Sequence, residues 1–127
     1  MSLLPESTYA LLDARGGIRT QPGGREFWAQ PPEALNALGR DWLVSEFSFD
    51  SDWTSWEMHP EADEYVYLLE GDVDFVLEAP DGTHNTQRLT GRGAVVVPRG
   101  CWHTARVHQP SRMFFLTMGA GTQHRPV

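Results

Sequence analysis

Four side chains in this 127-residue sequence have the types and spacing to do chemistry together: Glu57, His59, Glu64 and His103. Glu57 and His59 stand two apart in Trp53 to His59, a predicted strand, and side chains at i and i+2 of a strand share a face. A short polar link, Pro60 to Asp63, leads to Glu64, which opens the next β-rich run. If those two runs pair, Glu64 lies beside Glu57 and His59. His103 opens another strand much later in the chain. Two imidazoles and two carboxylates at one point suit a divalent ion. Imidazole suits Fe, Ni, Cu or Zn, and carboxylate favours Mn or Fe. Without a metal the same groups could move protons, with Glu57 as general base beside a histidine, because two neighbouring carboxylates push one pKa up. Glu57 could also be a structural carboxylate. Spacing alone leaves these readings open.

The elements that must position these residues are short. The first forty residues differ from the rest. Leu4 to Ala14, stopped by Gly16-Gly17, fits a short helix or an irregular segment, and Thr20 to Arg25 reads as a turn-rich loop. Pro31-Pro32-Glu33 opens a helix over Ala34 to Leu38 that Gly39 ends, Pro early and Gly late being the expected order. From Trp42 onward the period is two. Strands are predicted over 42–49, 53–59, 64–69, 73–77, 83–89, 94–97, 103–108 and 113–117. Asp50-Ser51-Asp52, Glu70-Gly71-Asp72 and Pro80-Asp81-Gly82 read as turns. The polar tail after Gly119 is expected to be mobile. Short strands with regular turns predict an all-β sandwich or barrel, here with a short N-terminal helical segment.

At this point the residues carry a resemblance. Glu57-Met58-His59-Pro60-Glu61-Ala62-Asp63-Glu64, with Gly71 seven residues on, resembles the first cupin motif: His-x-His, four residues, Glu, six residues, Gly. Gly93 to His103 is similar to the second, with Pro98, Gly100 and His103 in its Pro-x-Gly-x-x-His core. The resemblance covers roughly Trp42 to Met118. It implies a double-stranded β-helix, the cupin jelly-roll barrel, in a single domain over 1–127. Within it, 1–40 is an N-terminal extension, 41–118 the barrel and 119–127 a tail. It also implies that His59, Glu64 and His103 fill three of four metal-ligand positions, holding one divalent ion (Mn, Fe, Ni or Zn).

Two departures stand out. Glu57 replaces the first His, which makes the set two His and two carboxylates, harder and more anionic. Val107 replaces an Asn that often closes the second motif. The sequence further resembles a subset of small bacterial cupins reading Trp-Glu-x-His-Pro-x-x-Asp-Glu, in which Glu57 would be the subset's own residue. The fold hosts many unrelated functions. Oxygenation, isomerisation and decarboxylation of a small molecule held in the barrel all stay open. So do a non-catalytic ligand-binding module and a metal-free isomerase using Glu57 and a His.

Composition narrows the partners. The formal net charge is −7 and every basic residue is Arg. An acidic chain with scattered Arg lacks the basic footprint that nucleic acid requires. No apolar stretch reaches membrane-spanning length, and the N-terminus lacks a secretory pattern. Cys101 is the only cysteine, so no intrachain disulfide forms, and the cytoplasm is the expected compartment. Period two puts Trp53 on the face of Glu57, as part of a substrate pocket. Trp56 and Trp102 read as packing residues. Tyr65, Tyr67 and Leu69 face away from Glu64 and offer a homodimer surface. His84, His108 and His124 read as surface residues.

Overall fold

The alternation that begins at Trp42 becomes strands because it lets each run bury one face. The computed structural model describes residues 2–127 as nine strands and two short helices. In chain order they are β1 (Thr8–Leu12), β2 (Ile18–Pro22), α1 (Arg25–Trp28), α2 (Pro32–Leu38), β3 (Trp42–Phe49), β4 (Ser55–Met58), β5 (Glu64–Glu78), β6 (His84–Thr90), β7 (Gly93–Val97), β8 (His103–Thr117) and β9 (Gln123–Pro126). All pairings are antiparallel.

The registers define two sheets that share β5 and β8. One runs β2-β1-β3, then the C-terminal half of β8, the N-terminal half of β5, and β7. The other runs β9-β4, then the N-terminal half of β8, the C-terminal half of β5, and β6. Between them lies a core of Val66, Leu68, Val73, Phe75, Val95, Val97, Met113 and Phe115. A second cluster, Tyr9, Leu11, Phe27 and Leu43, closes the end next to the helices.

Several sequence expectations are corrected. Glu70-Gly71-Asp72 does not reverse the chain. β5 continues through it with register shifts between Leu68 and Val73, which carry the strand from one sheet to the other. Gly71 is needed there: its φ is +119°, and a Cβ would collide with Ser111 of β8. Residues 103–108 and 113–117 are likewise one strand, β8. The segment 4–14 holds a strand, β1, whose Tyr9 and Leu11 point inward, and the expected loop from Thr20 begins inside β2. The predicted helix over 34–38 is α2, starting at Pro32 and ending before Gly39. The tail contributes β9. Among the described residues, no helix is long and apolar enough to cross a membrane.

Candidate functional site

His103 opens β8 and faces inward with Ala105, and it is fully buried. Its register partner across the sheet is Glu57 of β4. Glu64 opens β5 and faces the same interior as Val66 and Leu68. His59 follows β4 and is buried, and its carbonyl accepts the Gly100 N–H at 2.8 Å, which ties it to the second-motif turn. The expected β4–β5 pairing is absent: β4 pairs with β8 and β9. Glu64 nevertheless reaches the others, because β5 and β8 lie side by side.

The four groups converge. His103 Nε2 lies 3.2 Å from Glu64 Oε1 and 3.7 Å from Glu57 Oε1. His59 Nε2 lies 3.5 Å from Glu64 Oε2 and 3.9 Å from Glu57 Oε1. One ligand atom each from Glu57, His59 and His103 fall within 4.8 Å of one another. Glu64 stands outside that triad but contacts both of its imidazoles.

The protons can be placed by elimination. Thr122 Oγ1 donates to the Gly119 carbonyl at 2.7 Å, so the His59 Nδ1 that lies 2.7 Å from it must be the donor. His103 Nδ1 faces the Cys101 carbonyl at 3.0 Å, and a carbonyl only accepts. Neutral forms of both rings therefore turn an unprotonated Nε2 toward the carboxylates. His59 Nε2, His103 Nε2 and Glu64 Oε1 are buried without hydrogen-bond partners. At 3.2 Å the His103 Nε2–Glu64 Oε1 contact becomes attractive only when Nε2 carries a proton or a cation lies between the two.

Lone pairs facing a carboxylate need a positive charge between them. A proton on Nε2 or a metal ion would supply it. Burial by itself would raise the Glu64 carboxyl, but the nearby His103 and His59 outweigh it and hold the pKa at about 2. Burial opposes charging of His103, yet Glu64 outweighs that too and raises its pKa. An ion bound at about 2.1 Å keeps adjacent donors roughly 3.0–3.4 Å apart; the imidazole–carboxylate spacings here run from 3.2 to 3.9 Å, so binding would draw the donors inward. Nδ1 hydrogen bonds of this kind fix metal-ligating imidazoles in other sites. The donor set thus fits a divalent ion.

Two residues near the site were not foreseen. Thr122, in the tail expected to be mobile, is the partner of His59. His124, read as a surface residue, brings Nε2 to 3.2 Å from Glu57 Oε2, which raises the His124 pKa. β9 pairs His124 with Glu57, and Thr122 sits in the turn just before it, held by the Gly119 carbonyl. The tail is anchored by Arg125, whose guanidinium sits 5.3 Å over Trp56 and 4.5 Å over Trp102 and pairs with Glu78. Cys101 donates weakly to the Glu78 carbonyl, and burial pushes its thiol pKa up, which leaves it a poor nucleophile.

Glu57, His59 and Glu64 line one end of a cavity of about 890 Å³. Trp53 lines it too, with its ring centroid 6.4 Å from that of His103; it does so from the segment before β4, which begins at Ser55 and not at Trp53 as expected, so strand alternation does not place it. Phe47, Phe49 and Phe115 continue the wall toward Leu35 and Leu38 of α2. The cavity is concave and largely apolar with a few polar groups at one end, the usual form of a small-molecule site.

No protein-family model and no curated protein matches the sequence. Solved structures do. The chain is similar to peruvianin-I, a cysteine peptidase from Thevetia peruviana latex, at 17% identity and a TM-score of 0.57, over 68% of this chain and 56% of that one. It is similar to the hydroquinone 1,2-dioxygenase PnpCD in complex with Cd²⁺ and 4-hydroxybenzonitrile, at 15% identity and a TM-score of 0.52, over 60% and 56%. A cupin superfamily protein from Desulfitobacterium hafniense DCB-2 matches at 18% identity and a TM-score of 0.51, over 61% and 67%. The chain thus spans little more than half the length of the first two. The protein has the cupin fold, an all-β jelly-roll barrel.

Proposed function

We propose that the protein binds one divalent metal ion through His59, His103, Glu64 and Glu57, and acts there on a small organic molecule held in the barrel. The observation that carries this reading is the pair of Nε2 atoms, turned by their Nδ1 hydrogen bonds toward two carboxylates and left without partners. A bound ion would supply Lewis acidity with open positions for a ligand. The chain's own residues do the rest. Thr122 and the Cys101 carbonyl orient the imidazoles, Thr117 donates to Glu64 Oε2, and the aromatic wall excludes water. In support, the hydroquinone dioxygenase of like fold was solved with Cd²⁺ and a small aromatic compound.

Metal analysis of the purified protein tests this, together with melting curves after chelation and after addition of Mn, Fe, Ni or Zn. One equivalent of metal and a raised melting temperature are expected, since a ligand that binds only the folded state stabilises it. A protein that contains no metal and gains no stability from any of the four ions would sink the reading. The same data decide against a metal-free site in which Glu57 acts as general base, which predicts that chelation changes nothing.

A further inference from the structure

We infer that the cavity takes an uncharged aromatic ligand carrying a hydroxyl-type head, and that it discriminates against organic acids. The size and apolar wall come from the cavity itself. The charge preference rests on the metal reading, and also on which side chains are missing from the walls.

One wall of the cavity is aromatic, built by Phe47, Phe49, Trp53 and Phe115. Ring centroids lie 5.5 Å apart for Phe49 and Trp53, 5.6 Å for Phe47 and Phe115, and 6.1 Å for Trp53 and Phe115. Trp28 of α1 adds a further ring at the helical end. Such surfaces favour flat apolar partners in offset or edge contact. The volume of about 890 Å³ admits a molecule of two or three rings. Trp53 Nε1 is buried with no hydrogen-bond partner, a donor available to an acceptor on the ligand.

Charge sets the other half. None of the chain's ten arginines lines the cavity among the described residues, and the two histidines that do, His59 and His124, already face Glu57 or Glu64. Glu57, Glu64, Asp50 and Asp52 also line it. A carboxylate brought into this space would lose its water and find no unpaired cation to replace it. Bound metal would not reverse this, because the carboxylates of Glu57 and Glu64 already cancel the two charges of a divalent ion. Here the Glu57 that displaces the motif histidine has a chemical consequence: it removes the net positive charge that would draw an anion to the metal. A neutral hydroxyl head pays no such penalty.

The matched probes 2-naphthol and 2-naphthoate test this by quenching of tryptophan fluorescence and by thermal shift. The protein is used as purified, chelated, and loaded with Mn or Zn. Naphthol is expected to bind in every state, with naphthoate weaker by at least about tenfold, a floor well below the cost of a fully buried unpaired charge because the cavity is open to water. Trp28→Ala, at a side chain nearly half exposed and safe to truncate, should weaken naphthol about fivefold with metal uptake unchanged. Asp50→Arg should bring naphthoate binding up toward that of naphthol. Equal or tighter binding of naphthoate by the unaltered protein would overturn the inference. Metal uptake without naphthol binding would overturn it and leave the metal reading standing; naphthol binding without metal uptake would overturn the metal reading and leave the aromatic cavity.

Discussion

The two ends of the cavity are built by different physics. At the polar end four donors from three separate stretches of chain are aimed by directional bonds: Thr122 on His59, the Cys101 carbonyl on His103, Thr117 on Glu64 and His124 on Glu57. At the aromatic end Phe47, Phe49, Trp53 and Phe115 are held by packing alone, and no one contact fixes the shape. Packing tolerates small adjustments, whereas a donor set fails if one ligand turns away. Substitutions at the polar end should therefore lower metal affinity, whereas those at the aromatic end should lower stability and change ligand choice while leaving metal affinity nearly unchanged.

The sharpest break is His103→Ala. It removes one of the four proposed ligands and leaves Glu64 buried with half its compensation, so metal affinity should fall by more than 100-fold, and stability by about 3–5 kcal/mol. Metal titration and denaturant unfolding measure the two losses. Phe115→Ala should separate the ends. A cavity in the core costs about 3–5 kcal/mol, while the metal affinity of the folded fraction should stay within about twofold. If Phe115→Ala abolishes metal binding in protein that is still folded, the division is wrong.

Acid should strike the polar end first. The Glu64 pKa falls from 4.5 to about 2 on folding, so the stability it contributes is complete above pH 4.5 and is lost as pH falls toward 2. His103 has the opposite sign: its raised pKa contributes stability below pH 6.5 that is lost as pH rises through the folded value. Both shifts describe one interaction, worth a few kcal/mol in total. Chelated protein should therefore be most stable in mildly acidic solution, and unfolding curves from pH 2 to 9 check this. Metal competes for the same Nε2, so loading should release protons and move the optimum upward. Calorimetry in buffers of different ionisation enthalpy counts them.

The smallest effect tests the tail. Thr122→Val keeps the shape but leaves His59 Nδ1 without an acceptor, and metal affinity should drop by about 10-fold. Melting of the chelated protein should move little. An unchanged affinity would mean that His59 is aimed by its backbone alone.

The candidate donors and their motif spacings were legible in the sequence, because they depend on local periodicity and on residue type; Trp53 reaches the cavity from outside β4, where periodicity does not apply. Tertiary structure decided who meets whom. β4 pairs with β8 and β9 instead of β5, and a period-two pattern carries no information about partners. Glu70-Gly71-Asp72 has turn chemistry, yet its glycine serves the close crossing of Ser111, a contact 40 residues away in sequence. The tail shows no apolar alternation, and it is ordered by Arg125 lying between two tryptophans and a glutamate that the fold alone assembles. That is why Thr122 and His124 escaped notice. Their importance comes from long-range packing, which gives residues a role without marking them in the chain.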